Sequence, residues 1–383
     1  MALIVPRFPH IIFATSWKRL HDGWCVAARQ YALAMHHAGV HVNLHETVDS
    51  ESAPLDPEVA AEVKPITEVP FSPVLDYYLY SGLLGGYERM KRTLYSFHTQ
   101  PVKVGFHSFF ERTYLEPELV RELKRVPLLT TSRANERVLR AHGLTDVTRI
   151  PYPWTESDPL RSIPEATSSR NFYWIGRFEP RKAPDQLIRA FMTAFKPGEA
   201  RLTLKLSMFD FPGIGNNPEA VILDQLREGN GWTVHNWSDH IILIRQKLSN
   251  AEMLRLHAEN DVYVSSARGE GLELGAWAAK QAGRMLVVTE SGGPEDIVGD
   301  SDILVRSTGT MPAHACYEGL WGKGARYYDY SFEDLVAGLQ VARSFGMGSA
   351  SRHWTSEESH RSTVVGRQLK EWLSERVSLV LRP

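Results

Sequence analysis

Asp261-Val262-Tyr263-Val264-Ser265, then Arg268-Gly269-Glu270-Gly271-Leu272, then Met285-Leu286-Val287-Val288-Thr289 and Ser291-Gly292-Gly293-Pro294-Glu295: these four runs decide the fold. Just upstream, Ser249 and Glu252 have the spacing of a capping box. Met253, Leu254 and His257 follow at helical intervals, which predicts a helix over 251–260. The run 261–265 alternates with β-branched and aromatic residues, as a short strand does. Gly271–Ala282 is rich in Ala and Leu and closes at Gly283, a usual C-terminal stop, so it reads as a second helix. Met285–Thr289 is a second, buried strand. The result is a strand-helix-strand unit with its polar turns at the carboxyl ends of the strands, the edge where parallel sheets bind ligands. A helix beginning at Gly271 would turn free N–H groups and a partial positive charge toward that edge, a setting suited to phosphate. An ordinary crossover with tight glycine turns has the same local signature, so the rest of the chain must decide.

Working outward, the alternation fills the second half. Asn171–Ile175 reads as a strand, Gly176–Lys182 as a charged turn and Asp185–Phe195 as a helix. Strands are expected at Leu202–Ser207, Thr233–His235 and Ile241–Ile244, a loop at Pro212–Pro218 and a helix at Ala220–Arg227. From Ser331 the chain reads as mainly helical, with Leu369, Trp372 and Leu373 on one face of the last helix. Pro151–Arg170, with four prolines, reads as a linker. Before it lie predicted strands at Ile11–Ala14, Val40–Leu44, Val102–Phe106, Leu128–Thr131 and Val147–Ile150. One helix covers Trp24–His37, stopped by Gly39, and another runs from its cap at Ser132 through Leu139, stopped by Gly143. Residues 50–72, rich in Pro and Glu, read as loop. The turn Thr15–Gly23 holds one glycine, Gly23, and lacks the G-x-G-x-x-G fingerprint, which counts against a dinucleotide dehydrogenase. His107-Ser108-Phe109-Phe110-Glu111 follows Val102–Phe106 at its carboxyl end. Two α/β halves joined by a proline-rich linker is the expected organisation.

A chain of 383 residues is long enough for two domains, and 43% hydrophobic residues excludes a chain disordered over its bulk. A net charge of −2 makes no demand for nucleic acid. Two cysteines, Cys25 and Cys316, argue against a disulfide framework and fit a reducing compartment. The apolar start is interrupted at Pro6 and Arg7, so no signal peptide is expected, and no stretch approaches transmembrane length. The expected location is cytoplasmic.

Gly176-Arg177-Phe178-Glu179-Pro180-Arg181-Lys182-Ala183, with Leu187–Phe191 after it, resembles the Gly-Arg…Lys-Gly segment of glycosyltransferase family 4. Ile241–Gly299 resembles that family's run up to its Glu-Gly-Phe-Gly turn and its Gly-Gly-x-Pro-Glu loop. Thr131-Ser132-Arg133 and Arg149-Ile150-Pro151-Tyr152-Pro153 sit where the family has its Pro-Ser and Ile-Pro-Asn-Gly signatures. The resemblance covers most of the chain and is specific from Asn171 to Val298. It implies an α/β fold of GT-B type, with two facing Rossmann-like domains. The acceptor-side domain is expected at 1–160, the donor-side domain at 161–355, and a C-terminal helix at 356–383 packing back on the first.

The resemblance further implies a retaining, metal-independent transferase that moves a sugar from a nucleotide-sugar donor. A departing diphosphate needs positive charge, and Arg177 and Lys182 are expected to supply it, Arg as a fork and Lys as a point charge. The plain alternative for both is a solvated charged turn. Glu270 matches the first glutamate of the family's paired motif, which holds hydroxyls of the donor sugar, and Gly271 and Leu272 would offer backbone N–H groups to the phosphates. His107 matches the histidine that faces the donor sugar, so His107 and Glu270 are the candidate catalytic residues. Glu111 and Gly23 are assigned to the acceptor side. No cofactor is expected beyond the substrate, and no metal: Asp300-Ser301-Asp302 spells Asp-x-Asp where the family has only a surface turn. Two positions depart from the pattern. The second glutamate of the pair falls on Ala278, which cannot accept a ribose hydrogen bond, and the turn's second glycine is Glu273, a candidate donor-binding substitute. These departures sustain an alternative: a non-catalytic nucleotide-sugar-binding or scaffold protein on the same fold. The acceptor (glycan, lipid, metabolite, protein or nucleic acid) is not specified by the sequence.

Overall fold

The computed structural model describes residues 9–20, 22–47, 55–69, 77–81, 104–108, 111–155, 157–166, 168–207, 217–226, 231–322, 324–345 and 357–378. The chain divides into two compact units. The first takes Met1–Phe110, Pro117–Thr155 and Glu358–Pro383, the second Glu111–Glu116 and Glu156–Glu357. Met1–Phe8, Phe109-Phe110 and most of the expected loop at 212–218 lie outside the described residues.

The first unit is built on a six-stranded parallel sheet of order β2-β1-β3-β4-β5-β6. The strands are β1 (His10–Thr15), β2 (His41–Glu46), β3 (Tyr77–Ser81), β4 (Val104–Ser108), β5 (Leu128–Thr130) and β6 (Val147–Arg149). Strands covered on both faces read as apolar runs, and β1 is buried along its whole length. Helix α1 (Gly23–His37) starts where Asp22 accepts from the N–H groups of Trp24 and Cys25, and the chain leaves it through Gly39 at φ 83. The expected loop over 50–72 is corrected by helix α2 (Pro57–Thr67). Asp56 caps it and Pro57 takes its first turn, where a proline starts a helix instead of breaking one; Val59, Val63 and Ile66 are buried. Helices α3 (Pro117–Leu123) and α4 (Arg133–Ala141, capped by Ser132) follow. His107 sits inside β4, not in the turn after it. The last helix of this unit buries Leu369, Trp372 and Leu373 and packs on α1 so closely that a Cβ at Gly366 would lie 2.3 Å from the carbonyl oxygen of Ala34.

The second unit carries a parallel sheet of order β12-β11-β10-β7-β8-β9. Its strands are β7 (Asn171–Gly176), β8 (Arg201–Leu206), β9 (Ile241–Ile244), β10 (Val262–Ser265), β11 (Met285–Thr289) and β12 (Ile303–Val305). The chain starts at β7, steps outward through β8 and β9, then returns to lay β10, β11 and β12 on the other side. The order therefore reverses between β7 and β10, and the crevice at their carboxyl ends is where such sheets bind ligands. Helices α5 (Pro184–Ala194), α6 (Pro218–Gln225) and α7 (Asn250–Glu259) connect the strands; at α7, Ser249 Oγ accepts from Glu252 N–H at 3.3 Å while Glu252 Oε2 accepts from Ser249 N–H at 2.7 Å.

Two expectations are corrected here. Thr233–His235 is a turn running into a 3-10 helix, because the Asn236 side chain accepts from Thr233 N–H at 2.8 Å. Helix α8 begins at Leu274 instead of Gly271, because Glu273 takes a left-handed φ of 65 and breaks the helical run before it starts. After β12 comes an antiparallel hairpin absent from the sequence reading. Its strands β13 (Ser307–Pro312) and β14 (Arg326–Tyr330) enclose the short α9 (Glu318–Trp321), and the unit closes with α10 (Phe332–Ser344). Tyr317, Trp321 and Tyr327 are its core, with Tyr317 and Trp321 stacked at 4.4 Å. Glu358 returns the chain to the first unit and its final helix, α11 (Ser362–Ser378). Among the described residues no helix is long and apolar enough to cross a membrane.

Candidate active site

Three loops of the second unit meet at the sheet's carboxyl edge, and each is tied to the next by backbone. Behind β7, the carbonyls of Lys182 and Ala183 accept from Ser266 Oγ at 3.1 and 2.8 Å, and the carbonyl of Arg181 accepts from Arg268 N–H at 2.7 Å. Behind β10, Glu270 N–H donates to the carbonyl of Ser291 at 2.8 Å, and Gly293 N–H donates back to the carbonyl of Glu270 at 2.9 Å. The approach leaves no room for a side chain: a Cβ at Gly293 would stand 2.4 Å from Leu272 Cα and 2.5 Å from the Gly271 carbonyl oxygen. The hairpin braces the same loop from outside, with Tyr328 N–H on the carbonyl of Arg268 and Tyr330 Oη on that of Ser266, both at 2.8 Å. Among the described residues two non-glycines have positive φ, Ala183 (45) and Glu273 (65), and both belong to these loops. Backbone strain of this kind collects at functional sites because the surrounding structure has to hold it.

Charge is concentrated between the loops. Glu270 Oε1 meets two cations, Lys182 Nζ at 2.7 Å and Arg181 Nη1 at 2.9 Å. Arg181 reaches three more acceptors: the carbonyl of Gly269 at 2.6 Å, Glu179 Oε1 at 2.7 Å and Glu111 Oε1 at 3.3 Å. Burial pushes the Glu270 carboxyl upward, but Lys182 and Arg181 outweigh it and hold it below the usual carboxylate range. For Arg181 burial works against the charge, and Glu111, Glu270 and Glu179 more than reverse it. Glu273 is different. It is 5% exposed, with Oε1 accepting from Tyr263 Oη at 3.2 Å. Burial, then the neighbouring Glu270 charge, push its carboxyl up to about 7 against the pull of Lys182.

The structure gathers Lys182, Glu270, Gly271, Leu272 and Glu273 in one place, with Arg177 half-buried where β7 ends. Glu111, expected on the acceptor side, is part of the second unit and its carboxylate lies on Arg181. Gly23 opens α1 in the first unit and is exposed. His107 is also in the first unit, 2% exposed, with Nδ1 at 3.0 Å from Ser81 Oγ and its ring edge-on to Tyr31. Burial lowers its pKa to about 3, so the imidazole is neutral at neutral pH. Ala278 is half-buried on α8. The side chain of Asp302, of the Asp-x-Asp, is fully buried; Lys280 Nζ sits at 2.6 Å and the N–H groups of Leu286 and Gly299 also donate to it. The residues that sequence reasoning missed are Arg181 and Glu179. The signal was the doublet Arg181-Lys182 with Glu179 before it, where Lys182 alone drew a role.

Residues 169–316, which hold all of this cluster except Glu111, match the family model described as Glycosyl transferases group 1. No curated protein sequence matches the chain. Among solved structures, an α,α-trehalose-phosphate synthase (UDP-forming) from Burkholderia xenovorans in complex with glucose-6-phosphate is similar at a TM-score of 0.62 and 10% identity, over 96% of this chain and 99% of that one. HepE from Anabaena in complex with UDP-glucose is similar at 0.53 and 12%, over 96% and 99%. A TarM mutant from S. aureus in complex with fondaparinux, α-GlcNAc-glycerol and UDP reaches 0.49 and 11%; 81% of this chain is covered, and it spans 57% of that one. Fold and domain together define the class, a glycosyltransferase of GT-B fold. Its second unit carries the glycosyl transferases group 1 domain.

Proposed function

We propose that the chain is a retaining, metal-independent transferase of glycosyltransferase family 4 that takes its sugar from a nucleoside diphosphate. The observation that carries this reading is the Lys182–Glu270–Arg181 cluster at the β7/β10 reversal, inside the segment that matches the family model. Lys182, 17% exposed, is the cation that would turn to a diphosphate, joined by Arg177 at the end of β7 and by the N–H groups of Gly271 and Leu272. Glu270 would accept from hydroxyls of the sugar. In the transfer, the bond from the anomeric carbon to the phosphate oxygen breaks and its electron pair leaves on the diphosphate. An acceptor hydroxyl takes the sugar and releases its proton. Side-chain cations and N–H groups take the charge that a metal carries in other transferases. His107 is proposed as a contact to the sugar or the departing phosphate, made by hydrogen bond because its imidazole is neutral. No cofactor beyond the donor is called for.

Ala278 and Glu273 favour the second reading, a nucleotide-sugar-binding or scaffold protein. With Ala278 in place of a carboxylate, and Glu273 turned inward to Tyr263, ribose recognition has to come from other groups. A thermal-shift panel of UDP, GDP, ADP, CMP and dTDP forms, with and without chelator, tests both readings. UDP-glucose comes first, because the Anabaena structure of this fold holds it. A ligand at about a hundred times its dissociation constant stabilises by roughly 2.7 kcal/mol, a shift that is easy to read. A chelator-insensitive shift followed by donor turnover, with the product's anomeric configuration read by NMR, supports the transferase. Binding without turnover on any acceptor or water supports the second reading, and silence across the panel defeats the transferase and moves the second reading, in its scaffold form, to first place.

A further inference from the structure

We propose that Arg181 is the positioning residue of this site: it keeps Glu270 anionic and in place while Lys182 moves from Glu270 to the donor diphosphate. This rests on the transferase reading above and assigns a division of labour between two adjacent cations.

Both cations meet the same oxygen of Glu270, yet their settings differ. Lys182 is the more exposed of the two, 17% against 8%, and among the described residues Glu270 is its one carboxylate partner. Arg181 is fixed by Glu179 through Nη2, and by Glu111 and the Gly269 carbonyl through Nη1. A guanidinium serves separate acceptors from a rigid fork, which one ammonium cannot do. The elements that hold it have no slack: a Cβ at Gly269 would stand 2.1 Å from the carbonyl oxygen of Glu111, so the segment Glu111–Glu116, a strap of the second unit, and the loop behind β10 are in direct backbone contact. The strap is held in turn by Thr113 N–H on the carbonyl of Arg326, and by Arg112, which bonds Glu116 and the carbonyl of Trp321.

An arriving diphosphate draws on the mobile cation. Once Lys182 turns to it, Glu270 is a buried carboxylate beside new negative charge, and a buried carboxylate without a cation takes up a proton. Among the described residues, the groups shown to act on Glu270 are Lys182 and Arg181 from the β7 loop, Glu273 at the start of α8, Tyr263 on β10 and Glu111 on the strap, with Glu179 reaching the cluster through Arg181. Apart from Lys182, Arg181 is the one cation among them. It already stabilises the charged form of Glu270 together with Lys182.

The test has a ligand-free arm and a ligand arm. Carboxyl 13C NMR, assigned with Glu270→Gln, follows the titration of Glu270 in the wild type, Arg181→Met and Arg181→Lys. Calorimetry follows UDP binding by the same proteins from about pH 5.5 to about pH 8.5, with GDP and ADP as further probes. In Arg181→Met, Glu270 is expected to titrate about one unit higher or more. UDP affinity relative to wild type is then expected to fall about tenfold as pH rises, because an ionised Glu270 without Arg181 claims Lys182. Arg181→Lys restores part of this. If Arg181→Met does not fold, Arg181→Met with Glu179→Gln, which removes one of the stranded acids, takes its place. An unchanged Glu270 titration overturns the proposal, and so does a UDP affinity ratio that stays constant with pH. Failure of the wild type to bind any of the three diphosphates counts against the transferase reading and the exchange built on it. The ligand-free titration still decides separately whether Arg181 holds Glu270 in its charged form.

Discussion

Gly293→Ala is the substitution that most directly tests whether the two loop backbones, behind β10 and β11, work as one piece. The added Cβ would meet Leu272 Cα at 2.4 Å, the Gly271 carbonyl oxygen at 2.5 Å and Leu272 N at 2.6 Å. All three are backbone atoms, so no rotamer relieves the clash. Ordinary contact begins at 3.4 Å, so the loops have to part by about 1 Å. The parting stretches the bonds that zip them, Gly293 N–H to the Glu270 carbonyl and Glu270 N–H to the Ser291 carbonyl. Overpacking of this kind costs about 1–3 kcal/mol. For a unit of about two hundred residues that lowers the melting temperature by roughly 2–12 °C.

The functional effect is expected to be larger. Gly271 and Leu272, whose N–H groups are proposed to meet phosphate, are the residues pushed, and a displacement of about 1 Å at such a site costs on the order of a hundredfold. Calorimetry of nucleotide-sugar binding beside a thermal melt separates the two effects. Gly143→Ala, in the first unit, is the control: its φ is 79 with nothing within 4 Å of the new Cβ, so it brings backbone strain without a clash. It should cost about 1–2 kcal/mol and leave binding alone. If Gly293→Ala bound the donor within about threefold of wild type, the backbone lock would not position the phosphate site.

Lys280→Met strands Asp302 as a buried, unpaired charge, since both side chains are 0% exposed, and should cost about 3–5 kcal/mol in a denaturant titration. Adding Asp302→Asn, which removes the stranded charge and keeps the oxygen that accepts from Leu286 N–H while losing the one that accepts from Gly299 N–H, should recover part of the loss; a single variant within about 1 kcal/mol of wild type would refute the ion pair's role. Glu273 predicts a pH slope. Its carboxyl sits at about 7 against a usual 4.5, so between these values the folded chain binds more protons than the unfolded one, and stability falls as pH rises. Glu273→Gln should flatten that fall, gaining up to about 3 kcal/mol over wild type above pH 7, and parallel stability curves would reject the assignment.

Where the sequence was legible, the signal was local. The strands β9 and β11 have the bounds that their apolar runs set, and the Ser249–Glu252 cap forms as its spacing requires. The misses are of two physical kinds. One is distance along the chain: Arg181 takes meaning from Glu111 on one side and from Gly269 and Glu270 on the other, and no window of sequence joins them. The other is backbone conformation without its usual residue. A left-handed turn is read from glycine, and here Ala183 and Glu273 occupy it, the second where the family resemblance expects glycine. Taken as letters, both residues look like losses of a tight turn. In the structure the turns are made, held by Ser266 on the Ala183 carbonyl and by the Gly293 approach beside Glu273, at a strain of about 1–2 kcal/mol for each residue. The alteration at Glu273 is therefore one of charge more than of shape. A carboxyl that titrates at about 7 now stands at the start of α8, beside Glu270 and within the pull of Lys182. Whatever anion this edge accepts must displace or protonate that group, so binding that weakens as pH rises through 7 in the wild type, and less so in Glu273→Gln, would follow from the same geometry.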